Sequence, residues 1–194
     1  NNILLKYKPQ IVIHLAALPL AKLENLNVEE ALEGSVQSTS YIIEGIANLK
    51  RNLNYTFKRF VYASSSMVYG DFKKSSVNEK SEKNPKDPYG IMKLAGEVIT
   101  EGVCKLHSIP YTIIRPSAVY GPKDMNRRVS QIFVENAIRG KKITIQGKDE
   151  KLDFTYIKDL IQGVKKIIST EKSKNQIFNL TFGSSKKINE MLNI

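Results

Sequence analysis

Arg59-Phe60-Val61-Tyr62-Ala63 is a short, mostly apolar run that gives way at once to Ser64-Ser65-Ser66. A run this short and continuous reads as a strand buried on both faces, the condition of strands in a parallel sheet covered by helices. Upstream, Gln10-Ile11-Val12-Ile13-His14-Leu15 has the same character, and downstream so does Tyr111-Thr112-Ile113-Ile114-Arg115, ended by Pro116. Between these runs the spacing turns helical. Ala31, Val36, Ile42, Ile43, Ile46 and Leu49 mark a helix over residues 28–49, and residues 89–106 form a second, opened by Pro88. The polar stretch 71–87 has no period and reads as a loop. Strands alternating with helices predict an α/β fold with a parallel sheet covered on both faces. Ligands of such sheets bind at the carboxyl ends of the strands, where the loops after Leu15, Ala63 and Arg115 converge.

Beyond Gly121 the pattern changes. The spacing predicts a helix over 127–139, a short strand at 143–145, a helix over 156–169, a strand at Gln176–Leu180 and a further helix opening at Ile188. We therefore expect one unit over 1–122 and a lobe over 123–194. No Gly-x-Gly-x-x-Gly turn for a pyrophosphate occurs anywhere in the 194 residues. The chain opens at what reads as the end of one helix and stops as another begins. The expectation is that a first βαβ unit carrying the glycine turn is missing and is encoded upstream of Asn1.

Composition narrows the classes. Hydrophobic residues at 41% and charged residues at 25% suit a globular protein rather than a disordered one. No apolar run is long enough to span a bilayer, and Lys6, Lys8 and Pro9 interrupt any signal-peptide core, so no membrane partner is expected. Cys104 is the sole cysteine, which removes disulfides and cysteine metal clusters and suits a cytoplasmic setting; no metal site is expected. The net charge of +11 suits either a nucleic-acid surface or attraction of anionic substrates. The pairs Lys73-Lys74, Lys141-Lys142, Lys165-Lys166 and Lys186-Lys187 are scattered, with no aromatic series between them, so no nucleic-acid partner is expected.

Three pieces carry chemistry. Tyr89 and Lys93 are four apart, one turn along one helix face. An ammonium beside a phenol favours phenolate and tunes the tyrosine as a base for a hydroxyl proton. A serine within Ser64-Ser65-Ser66, just past a buried strand, can hold that hydroxyl, or can simply satisfy the strand-end backbone. The third piece is Arg115-Pro116-Ser117-Ala118-Val119-Tyr120-Gly121-Pro122.

With His14-Leu15-Ala16-Ala17 and Leu152-Asp153-Phe154-Thr155-Tyr156-Ile157 added, the chain resembles the extended short-chain dehydrogenases/reductases, in particular the NAD-dependent nucleotide-sugar epimerases and dehydratases. The resemblance implies a Rossmann-like parallel sheet, its first βαβ unit missing, plus part of a small C-terminal α/β substrate lobe. The implied cofactor is NAD, with NADP as the alternative. It implies Tyr89 as general base and acid, Lys93 as its pKa-lowering partner and ribose ligand, and Ser65 as the residue orienting the sugar hydroxyl. Leu15, Ala16, Ala17, Ala63 and Pro116, with Tyr89 and Lys93, would line the cofactor. Family dehydratases carry Asp and Glu at the two positions after the serine. Here these are Ser66 and Met67, and methionine has no proton to transfer at neutral pH. Elimination chemistry thus lacks its groups, and epimerisation at a sugar carbon, usually C4, becomes the expected reaction. A sugar reductase or dehydrogenase on the same fold is the alternative, and a catalytically inactive binding fragment is another.

Two departures bear on the substrate. Ala118 and Leu152 stand where the family often places Asn and Arg on the diphosphate. Arg127, Arg128 and Lys151 offer replacement charge, and Ser66, Met67 and Gln146 complete the expected substrate contacts. Homodimerisation through the Tyr89 helix and its neighbour is implied as well. His14 reads as a core histidine within a strand, and Cys104 as a core thiol.

Overall fold

The computed structural model describes residues 2–18, 28–53, 55–72, 76–124, 128–145, 147 and 149–193. Its strands are β1 (Ile11–His14), β2 (Arg59–Ala63), β3 (Tyr111–Pro116), β4 (Val119–Tyr120), β5 (Lys151–Leu152), β6 (Thr155–Tyr156), β7 (Gln176–Leu180) and β8 (Lys186–Lys187). Four of them form one sheet in the order β1-β2-β3-β7. β1 and β3 both run parallel to β2, with Tyr62 opposite His14 on one side and Ile113 on the other. This is the α/β, Rossmann-like arrangement that the apolar runs predict.

Burial explains why the central strands read so clearly. Phe60, Val61, Tyr62, Ile113 and Ile114 are all at most 2% exposed, so neither face of β2 or β3 meets water. Burying one such side chain stabilises the fold by about 1.5–3 kcal/mol. Ile43, Ile46, Phe57, Cys104, Ile109 and Tyr111 join the same core. The Cys104 thiol is fully buried, which pushes its pKa up to about 12, with the nearby Lys50 ammonium opposing.

The first long helical segment is not uniform. It begins at Val28–Ala31, passes through a π-helical turn at Leu32–Gln37 and resumes as α-helix over Ser38–Leu53. The hydroxyls of Ser38, Thr39 and Ser40 donate back to the carbonyls of Gly34, Ser35 and Val36. Such back-bonding competes with the regular ladder. Gly34 in that turn lies so close to Leu18 that a Cβ would stand 2.6 Å from the leucine side chain.

The chain falls into two compact units, residues 1–115 with 166–179, and residues 116–165 with 180–194. Residues 166–179, late in the chain, thus belong to the first unit. Asn175, in left-handed conformation at φ 57°, holds them to β3. Its N–H donates to the Tyr111 carbonyl at 2.6 Å, and its Oδ1 accepts the Tyr111 N–H at 3.2 Å. Arg59, 2% exposed at the start of β2, donates to the Ile167 and Thr170 carbonyls at the C-terminal end of the helix Ile157–Ser169, and to Thr112 and Ser173 hydroxyls.

In the second unit β4 pairs parallel with β6, and β5 antiparallel with β8. Asp153 ties this unit together by accepting the N–H groups of Phe182 and Gly183. The strand expected at 143–145 is absent, and these residues have no regular structure. Gly140 and Gly147 flank them at φ +60° and +65°, turning the chain before a strand can pair. At Ile188 a 3₁₀ helix, Ile188–Asn193, takes the place of an α-helix. Among the described residues no helix is long and apolar enough to cross a membrane, and no group of His, Cys, Asp and Glu is placed to hold a metal.

Candidate active site

The helix Pro88–Leu106 is started by its own sequence. Asp87 caps it by accepting the Gly90 N–H at 2.9 Å, and Pro88 occupies the first turn, where its missing N–H costs nothing. Its inward stripe is unusually polar. Lys93, Glu97 and Thr100 are all buried at helical spacing, with Tyr89 half-buried one turn before Lys93. Tyr89 packs against the cluster formed by Ala31 and Met92, as do Leu18 and Val36.

Lys93 crosses from this helix to the end of β2. Its Nζ donates to the Ala63 carbonyl at 2.8 Å and lies 5.5 Å from the Tyr89 ring centroid and 5.6 Å from that of Tyr62. With Lys93 only 4% exposed, burial pulls its ammonium down to about 8. His14, at the end of β1, is equally hidden. The Thr39 hydroxyl gives its proton to the Ser35 carbonyl at 2.8 Å, which leaves it to accept from His14 Nε2 at 3.0 Å. Burial, helped by the Lys93 charge, lowers His14 to about 4, so it is a neutral ring donating from Nε2.

The serine run forms a turn beside the helix. Ser65 caps the 3₁₀ helix Ser66–Tyr69, its Oγ accepting the Met67 N–H at 3.2 Å. Gly70 closes the turn at φ +62°, where a Cβ would stand 2.0 Å from the Asn84 carbonyl oxygen. Gly90 lets the helix start approach closely, since a Cβ there would meet the Met67 carbonyl oxygen at 2.8 Å. Ser66 and Met67 are half-buried on this turn.

Behind the turn lies a buried ion pair that the sequence reading did not single out. Arg115 Nε donates to Glu97 Oε1 at 2.8 Å and Nη2 to Oε2 at 2.6 Å, with both side chains at most 4% exposed. Burial alone would lower the Arg115 pKa, but the Glu97 carboxylate raises it above its ordinary value. Ser64 Oγ donates to Glu97 Oε1 at 2.5 Å, and Arg115 Nη1 donates to the Tyr69 hydroxyl at 2.7 Å. Glu97 had a signal in the sequence: it continues the Tyr89, Lys93 spacing by four. Arg115 had one too, as a guanidinium closing an apolar strand.

The other expected residues are placed as follows. Leu15 and Ala16 are exposed and Ala17 half-buried, directly after β1; Ala63 takes the Lys93 ammonium. Pro116 is half-buried as the last residue of β3. Arg128 and Lys151 are exposed in the second unit, and Arg127 and Gln146 lie outside the described residues. A cavity of about 240 Å³ is lined by Tyr69, Phe72, Ser76 and Asn84 among others, and includes none of Ser65, Tyr89 and Lys93.

Sheet order, the Tyr89–Lys93 face and the serine turn define a Rossmann-like member of the dehydrogenase/epimerase kind. The chain belongs to the NAD dependent epimerase/dehydratase family, whose profile matches residues 1–181. A putative UDP-glucose 4-epimerase of Methanocaldococcus jannaschii is 29% identical over 191 residues, covering 95% of this chain and 59% of that protein. A dTDP-D-glucose 4,6-dehydratase of Dictyostelium discoideum is also 29% identical, over 192 residues, covering 93% of this chain and 43% of that protein. The crystal structure of UDP-glucuronic acid 4-epimerase from Bacillus cereus, in complex with UDP-glucuronic acid and NAD, superposes with a TM-score of 0.85. That match has 27% identity and covers 96% of this chain and 58% of the other. The chain spans about half the length of the curated relatives it matches.

Proposed function

We propose that this chain is the catalytic portion of an NAD-dependent nucleotide-sugar 4-epimerase. The observation that carries the reading is the buried Lys93 ammonium, tied to the end of β2 and lying 5.5 Å from the Tyr89 ring. A cation held there favours phenolate over phenol at Tyr89 Oη. The same donor set fits the nicotinamide-ribose end of NAD. Among the described residues Lys93 Nζ gives one hydrogen, to the Ala63 carbonyl, and two remain for ribose hydroxyls. Leu15, Ala16, Ala17 and Pro116 would complete the lining. Bound there, the cofactor supplies the hydride acceptor and, for the return step, the donor.

The chain's own residues handle the proton. Ser65 donates its hydroxyl hydrogen to the sugar oxygen and holds it toward Tyr89. Tyr89 takes the hydroxyl proton, leaving a keto sugar, and returns it once the sugar presents its other face. Ser66 and Met67 supply no carboxylate beside the sugar, which favours epimerisation over loss of water. Arg127, Arg128, Gln146 and Lys151 would hold the nucleotide portion. Tyr41, Ile91 and Val98, 59%, 46% and 63% exposed on the two helices Ser38–Leu53 and Pro88–Leu106, offer a homodimer face, and the lone buried thiol suits a cytoplasmic setting.

The test is turnover of UDP-glucose with NAD, read by product analysis, after NAD binding to the chain has been measured. Conversion to the 4-epimer without net NADH is expected; stoichiometric NADH would instead mean a dehydrogenase, and undetectable NAD binding would rule out activity of this chain. Tyr89→Phe should reduce turnover about a hundredfold or more. Near-normal turnover would remove Tyr89 from its role.

A further inference from the structure

We propose that Glu97 and Arg115 form one positioning clamp that sets the Ser65 turn at its working distance from the Tyr89–Lys93 face. This rests on the roles proposed for Ser65 and Tyr89, but not on which sugar is turned over. The turn Ser66–Tyr69 holds itself weakly, through the Ser65 cap on the Met67 N–H and two backbone bonds. Its own backbone bonds, Val68 N–H to the Ser65 carbonyl and Gly70 N–H to the Met67 carbonyl, are long at 3.3 and 3.2 Å. A 3₁₀ segment of four residues has little stability of its own.

Its position comes from two anchors, one at each end. Ser64, just before the turn, is held by Glu97 Oε1; Tyr69, its last residue, is held by Arg115 Nη1. The two anchors are locked to each other by the bidentate Arg115–Glu97 pair. Glu97 lies four residues after Lys93 and eight after Tyr89, about 12 Å along the helix axis at 1.5 Å per residue. The helix that carries the base therefore also carries the group that sets the serine against it. The clamp extends outward as well. Tyr69 donates to Asn179 Oδ1 at 2.7 Å, Asn179 N–H donates to Glu79 Oε1 at 2.8 Å, and Arg115 Nη1 donates to the Glu79 carbonyl at 3.1 Å.

Stability alone does not account for two charges here, because well-packed apolar residues commonly match a buried ion pair in stability. What apolar residues do not provide is fixed direction. A bidentate carboxylate–guanidinium pair fixes the angle as well as the distance between its partners.

The experiment compares Glu97→Gln and Ser64→Ala with Arg59→Met, a buried arginine variant away from the turn. Each is studied in the full chain at the same margin below its own melting temperature. Amide hydrogen exchange is read at Met67, Val68 and Gly70, with kcat and KM for UDP-glucose beside it. Glu97→Gln should speed exchange at these amides about tenfold beyond Arg59→Met. It should also lower kcat about tenfold or more while KM stays within about threefold, and Ser64→Ala should show the same pattern at smaller size. Equal exchange in Glu97→Gln and Arg59→Met, or faster exchange with unchanged kcat, would overturn the clamp. Should Glu97→Gln fail to fold, unchanged exchange in Ser64→Ala would overturn it equally. Faster exchange in a chain that turns over no sugar at all would uphold the clamp and defeat the proposed activity instead.

Discussion

Two arginines are buried in this sheet, and they are held in opposite ways. Arg59, at the amino end of β2, meets no carboxylate in its hydrogen bonds; its partners are two carbonyls at a helix end and two hydroxyls. Burial lowers its pKa, with the more distant Glu171 opposing. Arg115, near the carboxyl end of β3, is paired bidentately with a carboxylate that is itself buried. The first arrangement uses a cation where partial negative charge already gathers, at the end of a helix, and fastens the late segment 166–179 to the sheet. The second brings two full charges out of water together, at the edge of the sheet where ligands bind. One end of the sheet is fastened and the other is aimed.

This contrast can be broken most forcefully at Arg115. Arg115→Met leaves the Glu97 carboxylate buried without its partner and should cost about 3–5 kcal/mol in a denaturant titration. Adding Glu97→Leu to that variant removes the stranded charge and should recover at least about 2 kcal/mol. Turnover should not return with it. Recovery of both would mean that the pair serves stability alone. Arg59→Met strands only neutral acceptors and should cost less, about 2–3 kcal/mol, while turnover below the melting temperature stays within about threefold. A larger loss at Arg59 than at Arg115 would reverse the comparison.

The smallest effect is in pH. The carboxyl edge also holds His14, whose pKa burial lowers from 6.5 to about 4. An unfolded chain therefore binds this proton where the folded one does not. The contribution is full above pH 6.5 and is lost as pH falls from there toward about 4. Over that window the wild type should lose more stability than His14→Asn. Equal losses would mean that His14 is not held neutral.

What could be read along the chain follows from this geometry. β2 and β7 form at the residues their apolar runs mark, and the Tyr89 helix begins one residue earlier than its spacing marks, because Pro88 itself occupies the first turn. Strands buried on both faces and helices with sharp caps leave local signals. The pairing of Tyr89 with Lys93 is legible for the same reason, being one turn of one helix. Residues 143–145 mislead because three residues carry a strand's composition without a neighbour to pair with. The two-residue strands β4, β5, β6 and β8 are too short to show any period. Nor does anything local announce that 166–179 returns beside β3, since that return is fastened by Arg59 and Asn175 across more than sixty residues of sequence. Glu97 and Arg115 were readable one at a time, as a spacing and as an oddity. Their union was not, because it joins a helix to a strand through space.

Cys104 gives the molecule a clock of its own. The chain has one thiol, sealed in the core between the Tyr89 helix and the sheet and kept un-ionised. A reagent that consumes thiolate can react with it only while that layer stands open, whereas an exposed cysteine ionises near pH 8.5. The pace of labelling at mild pH therefore counts the openings of the first unit directly. It needs no substrate and no cofactor.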